Sequence, residues 1–160
     1  MALSTNESFA GYEAYKAVDG IWDNLGKPIN SRLKQYWSTK SKISVNDTVW
    51  WYFNFSKFTE VDRMKINFAY CGSIDKVSIE AKQKRGLAST KTWVLKSTSK
   101  RKRKFCDDHE YDIPTKHVNA YRLYAIKLAL YQKTYAGIFE VKFYSKTGKL
   151  VFTGFGSTVQ

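Results

Sequence analysis

The chain has 160 residues, with 27 Lys and Arg against 14 Asp and Glu, for a formal net charge of +13. That length suits one domain, and a composition 43% hydrophobic and 16% aromatic supplies a core, which excludes a disordered basic tail. Two Pro and nine Gly exclude collagen-like and Pro-rich classes, and no run approaches the ~20 apolar residues that a membrane span needs.

In chain order, the opening Met1-Ala2-Leu3-Ser4-Thr5-Asn6-Glu7 lacks the basic and apolar regions of a secretory signal. Helical spacing is confined to a turn near Glu13 to Val18. The segment Thr48 to Phe55, dense in aromatic and β-branched residues, predicts a strand. Arg63 to Tyr70 alternates, with Met64, Ile66, Phe68 and Tyr70 on one face. Lys76 to Lys82 repeats the pattern with Val77, Ile79 and Ala81, and Thr92 to Lys96 forms a shorter run around Trp93. Tyr121 to Leu130 places Tyr124, Ile126, Leu128 and Leu130 together, and Ile138 to Ser145 and Leu150 to Phe155 follow. Gly72-Ser73, Arg85-Gly86, Pro114 and Thr147-Gly148 punctuate these runs. Seven or more short strands separated by turns predict an all-β antiparallel sandwich or barrel.

The charge is uneven. Ten Lys and Arg fall within residues 82–104 with no acid among them. The run Lys100-Arg101-Lys102-Arg103-Lys104 suits a polyanion such as nucleic acid or anionic glycan; the alternative is a solvated hairpin edge neutralised by Asp107, Asp108, Glu110 and Asp112. Single-strand binders interleave aromatics with charge, and only Phe105 lies close, so sequence-specific nucleic-acid binding is not expected. The two cysteines, Cys71 and Cys106, read as buried thiols on strands, with pairing left open. His109 and His117 lack metal spacing, and neither a Gly-x-Ser-x-Gly elbow nor a phosphate-cradling Gly loop occurs, so no catalysis is expected.

Three segments stand out in order. The first is Ala14-Tyr15-Lys16-Ala17-Val18-Asp19-Gly20 with the later Trp37-Ser38. The second is Trp50 to Phe55 before the alternating strand to Tyr70. The third is Tyr121-Arg122-Leu123-Tyr124, followed by Ala136-Gly137-Ile138-Phe139-Glu140-Val141-Lys142-Phe143-Tyr144. Together they resemble the discoidin or coagulation-factor type C family of galactose-binding-like β-sandwiches. The resemblance covers about residues 9–145 of a single domain spanning 1–160, leaving 146–160 as a C-terminal extension. It implies a jelly-roll-like sandwich that binds sugars, phospholipid head groups or proteins without catalysis.

The resemblance also implies a structural Ca²⁺ held by the Asp19 and Glu140 carboxylates. Carbonyls of Lys16, Ile21 and Phe139 and the side chain of Asn24 or Asp23 would complete it, since Ca²⁺ takes six to eight hard oxygens. A sugar site would lie on end loops, with Trp22, Tyr36, Tyr131 and Tyr135 as stacking faces and Arg32, Asn30 and Gln132 as hydrogen-bonding groups. The expected role is a binding or interaction module of a larger assembly, such as a decoration, tail or host-glycan-binding protein of a virion. The alternatives are a free-standing lectin-like module and a basic polyanion-binding protein. With no export signal, the expected location is virion-associated or extracellular after lysis, otherwise cytoplasmic. The expected partners are assembly proteins and a cell-surface glycan or other polyanion.

Overall fold

The computed structural model describes residues 1–20, 33–82, 91–96, 104–106, 109–112, 121–145 and 147–151. Among them run nine strands: β1 (Ala2–Ser4), β2 (Trp37–Ser38), β3 (Thr48–Thr59), β4 (Arg63–Ala69), β5 (Ile74–Lys82), β6 (Lys91–Lys96), β7 (His109–Asp112), β8 (Tyr121–Leu130) and β9 (Gly137–Tyr144). They form two antiparallel sheets, of order β1-β3-β8-β5-β6 and β2-β9-β4-β7. This is the all-β sandwich expected from the strand pattern.

Period-two alternation sets which faces meet. Val49, Trp51, Phe53 and Phe55 of β3 are buried, together with Tyr124, Ile126, Leu128 and Leu130 of β8 and Val77, Ile79 and Ala81 of β5. Met64, Ile66 and Phe68 of β4 and Ile138, Val141 and Phe143 of β9 complete the same core from the other sheet. Phe53, Phe55, Tyr124 and Phe143 meet at ring separations of 4.7–5.9 Å. Each such side chain contributes roughly 1.5–3 kcal/mol by leaving water, so this aromatic knot is one substantial part of the core.

Among the described residues, three 3-10 turns connect the sheets: Ala14–Val18, Cys71–Ser73 and Lys104–Cys106. The first is the turn anticipated near Glu13 to Val18. It is fastened by Trp51, whose Nε1 donates to the Ala14 carbonyl at 2.9 Å.

The cysteines depart from the buried-thiol expectation. They lie in two 3-10 turns rather than on strands, and they are joined as a Cys71–Cys106 disulfide with Cα atoms 4.9 Å apart. The turns meet because β4 ends beside the second one and Phe105, buried at 1% exposure, packs edge-on against Phe68. The anticipated strand Leu150 to Phe155 is represented by one bridge, Tyr144 to Leu150; residues 152–160 lie outside the described residues.

Candidate functional site

β2 begins one residue after Tyr36, and the N-terminal segment is laid along it. Phe9 N donates to Ser38 O at 3.0 Å, and Ser38 N donates to Tyr12 O at 3.0 Å. Gly11, at φ +88°, allows the tight turn in which Tyr12 N donates to Phe9 O at 2.8 Å. On the other side, Thr39 N donates to Ala136 O at 2.9 Å, and Ala136 N donates to Thr39 Oγ1 at 3.1 Å. These bonds bring Phe9, Tyr12, Tyr36 and Tyr135 together, although they lie far apart in the chain.

Tyr70 closes the group. Strict alternation would place it with Met64, Ile66 and Phe68 in the core, but β4 ends at Ala69 and Tyr70 takes a left-handed conformation at φ +53°. Its ring swings out of the strand pattern, and its hydroxyl lies 3.2 Å from Ser38 Oγ. Gly137 makes room for this. A side chain there would press into the Trp37 carbonyl oxygen, the Ala69 methyl and the Tyr70 ring.

The result is a cleft of about 240 Å³ lined by Phe9, Tyr12, Tyr36, Ser38, Thr39, Tyr70 and Tyr135. Its rings form a continuous chain. Phe9 meets Tyr12 at 5.8 Å, Tyr12 meets Tyr36 at 4.9 Å, Tyr36 meets Tyr70 at 6.3 Å, and Tyr70 meets Tyr135 at 5.7 Å. A β-bulge supports the base: Asn67 pairs with Glu140 and Phe68 with Ile138, leaving Phe139 as the extra residue, and its ring packs 5.1 Å from Tyr36. Tyr36 is 7% exposed and so lines the base, while Phe9, 50% exposed, stands at the rim. Among the described residues, the hydroxyls of Tyr12 and Tyr135 make no hydrogen bond. They are free to pair with a ligand.

Of the residues singled out in the sequence, Tyr36 and Tyr135 therefore share this cleft. Tyr131 does not line it; its hydroxyl donates to the Gly72 carbonyl and ties the turn to the loop after β8. Gln132 does the same from its amide, 2.7 Å from Ser73 Oγ. Trp22, Asn30 and Arg32 lie outside the described residues, as do Lys100, Arg101, Lys102 and Arg103. The Lys104 backbone opens the 3-10 turn that carries Cys106. Sequence reasoning missed Phe9, Tyr12 and Tyr70. The turn signal at Gly72-Ser73, which begins two positions after Tyr70, was the one mark that its alternation breaks there.

The second grouping joins Asp19 to Glu140. Asp19 caps the first 3-10 turn, and Gly20 N donates to Glu140 Oε2 at 2.9 Å. Glu140 is 2% exposed, and its Oε1 is buried without a hydrogen-bond partner among the described residues. Burial, then the negative charge of Asp19, push its carboxyl up to about 10, against the weaker pull of the Gly20 amide and Lys142. Two carboxylates forced together with an orphaned oxygen are the donor chemistry of a hard cation. Lys16 belongs to the same turn as Asp19; Ile21, Asp23 and Asn24 lie outside the described residues. Among the described residues, no cluster of three or more His, Cys, Asp or Glu occurs.

No protein-family model and no curated protein matches the chain. Solved structures do. The lectin domain of lectinolysin, complexed with Lewis B antigen, superposes with a TM-score of 0.64 at 14% identity, covering 91% of this chain and 92% of that one. A fucose-binding module of Streptococcus pneumoniae gives 0.62 at 14%, covering 91% and 93%. Chitosan-binding module 1, from a chitosanase/glucanase of Paenibacillus sp. IK-5, gives 0.60 at 14%, covering 91% and 94%. This chain thus shares the β-sandwich fold of these domains. Among the described residues, no helix is long and apolar enough to cross a membrane.

Proposed function

We propose that this domain is a non-catalytic glycan-binding module whose ligand enters the aromatic cleft. The observation that carries the reading is the unbroken row of rings from Phe9 to Tyr135 with two hydroxyls left free. Aromatic faces pack against the C–H faces of sugars, and phenol hydroxyls bond to sugar hydroxyls while the rings exclude water. The cleft volume is below the ~300–1,000 Å³ of drug-sized pockets, which suits one sugar ring at the end of a chain. The described lining holds rings and hydroxyls and carries no acid, base or thiol. Three solved structures of this fold are themselves sugar-binding domains, and that similarity supports the same reading here.

The Asp19–Glu140 pair fits a structural Ca²⁺ that neutralises the two carboxylates and locks the Asp-Gly turn to β9. The metal would supply charge and rigidity. The protein's part is to hold Glu140 Oε1 buried and Gly20 against Oε2. A glycan array followed by calorimetry tests the binding role. Retention of a defined glycan, weakened by Tyr135→Ala, supports it; no retained glycan on a neutral and acidic array overturns it.

A further inference from the structure

Tyr70 is one of two non-glycine residues with positive φ among the described residues, at φ +53° and ψ +36°. A bulky residue in that region is unfavourable unless its surroundings over-determine it. The next residue is Cys71, and the turn Cys71–Ser73 is tied down from three directions. Cys71 is bonded to Cys106. The Tyr131 hydroxyl donates to Gly72 O, and Tyr131 N donates to Ser73 O at 3.1 Å. The Gln132 amide donates to Ser73 Oγ. Tyr70 itself accepts at its carbonyl from Ser73 N at 3.2 Å.

Three of these ties hold residues 72 and 73, whereas the disulfide holds the residue bonded directly to Tyr70. Its other end is immobilised as well, because Phe105, adjacent to Cys106, is buried against Phe68. We propose that the Cys71–Cys106 disulfide is a positioning element of the cleft, holding Tyr70 in its left-handed conformation so that its ring stands between Tyr36 and Tyr135. This rests on the glycan-binding reading. Without the bond, Tyr70 relaxes toward the extended backbone that alternation favours, and the cleft loses one wall. A conformation disfavoured to this degree becomes about a one-in-ten population, which weakens apparent affinity about tenfold.

The test compares oxidised protein with protein treated with tris(2-carboxyethyl)phosphine. One phosphine and one water convert the S–S bond to two thiols, and the phosphine becomes its oxide. Both cysteines are half-buried and within reach of the reagent. Two readouts are taken below the melting temperature of the reduced form: affinity for a glycan retained by the oxidised protein, and the nuclear Overhauser contact between the Tyr70 ring and the Gly137 Hα. The expected result is about a tenfold loss of affinity together with loss of that contact. In Tyr70→Ala, reduction should change affinity no further, because the effect runs through Tyr70. The double variant Cys71→Ser, Cys106→Ser should behave as the reduced protein does. Unchanged affinity and an unchanged contact after reduction overturn the proposal, and so does an equal loss on reducing Tyr70→Ala. If the oxidised protein retains no glycan, the binding reading fails, and the ring contact alone decides: its persistence after reduction overturns the positioning role.

Discussion

The Gly20 amide reaches the Glu140 carboxylate at 2.9 Å across 120 positions of sequence. One hydrogen bond does not balance the buried Glu140 carboxyl, because the half-buried Asp19 adds its charge and Oε1 of Glu140 has no partner among the described residues. A bound Ca²⁺ would. Chelation should therefore lower the melting temperature, and Ca²⁺ at a hundredfold excess over its dissociation constant should restore about 2.7 kcal/mol. Glu140→Gln should abolish that sensitivity. Calorimetric scans with and without chelator check it, and a wild-type scan indifferent to both reagents would leave Asp19 as a turn residue only.

The same pair predicts a pH dependence in chelated protein. Glu140 goes from about 4.5 unfolded to about 10 folded, so the native state binds the extra proton. Its contribution is complete below pH ~4.5 and is lost as pH rises toward ~10. Stability of the metal-free protein, measured by urea at fixed ionic strength, should thus fall across that window more steeply than in Glu140→Gln.

In the cleft, Tyr12→Phe and Tyr135→Phe each remove one free hydroxyl and keep the ring. A neutral hydrogen bond contributes about 1 kcal/mol, so each should weaken glycan binding about fivefold. Tyr135→Ala also removes the ring beside Tyr70 and should cost more than tenfold. Tyr131→Phe should leave affinity within twofold and act on stability instead. Isothermal titration separates these outcomes.

Gly137→Ala tests the packing that admits Tyr70. Its methyl group would meet the Trp37 carbonyl and the Tyr70 ring, and the backbone on one side is slow to give way. A loss of about 2–4 kcal/mol is expected, as for overpacked or backbone-clashing sites, read from the urea midpoint at constant slope.

A further prediction concerns the basic run, whose residues Lys100, Arg101, Lys102 and Arg103 lie outside the described residues. Replacing Lys100, Arg101, Lys102 and Arg103 with Ser should abolish heparin retention. A screened contact of this kind weakens as the Debye length shrinks from ~10 Å at 0.1 M salt to ~3 Å at 1 M. Binding of a neutral glycan should persist through both changes. Loss of the neutral glycan would place the cations at the cleft instead.

Period two made the strands legible, because burial on one face is what selects Val49, Trp51, Phe53 and Phe55, or Tyr124, Ile126 and Leu128. It failed at Tyr70, where a left-handed residue ends the alternation, and a polar turn signal says that a strand stops without saying where its last ring goes. Tyr36 and Tyr135 were legible as loop aromatics. Phe9 and Tyr12 were not, since they join the site only through backbone bonds to Ser38. Asp19 and Glu140 entered through a family resemblance; their proximity depends on a turn meeting a strand at opposite ends of the chain. The cysteine pairing was equally invisible, because 35 positions and two strands of the other sheet separate the partners.

That separation has a practical side. From Cys71 the chain leaves β4, builds β5 and β6 in the opposite sheet, and returns at Cys106, so the disulfide closes this excursion at its root. All ten Lys and Arg from Lys82 to Lys104 lie between the two cysteines, in a segment whose sequence trypsin can cut. A single nick there yields two fragments that still migrate as one on a non-reducing gel and separate only when thiol is added. In such a nicked molecule β4 and β8 stay on fragments that the Cys71–Cys106 bond holds together.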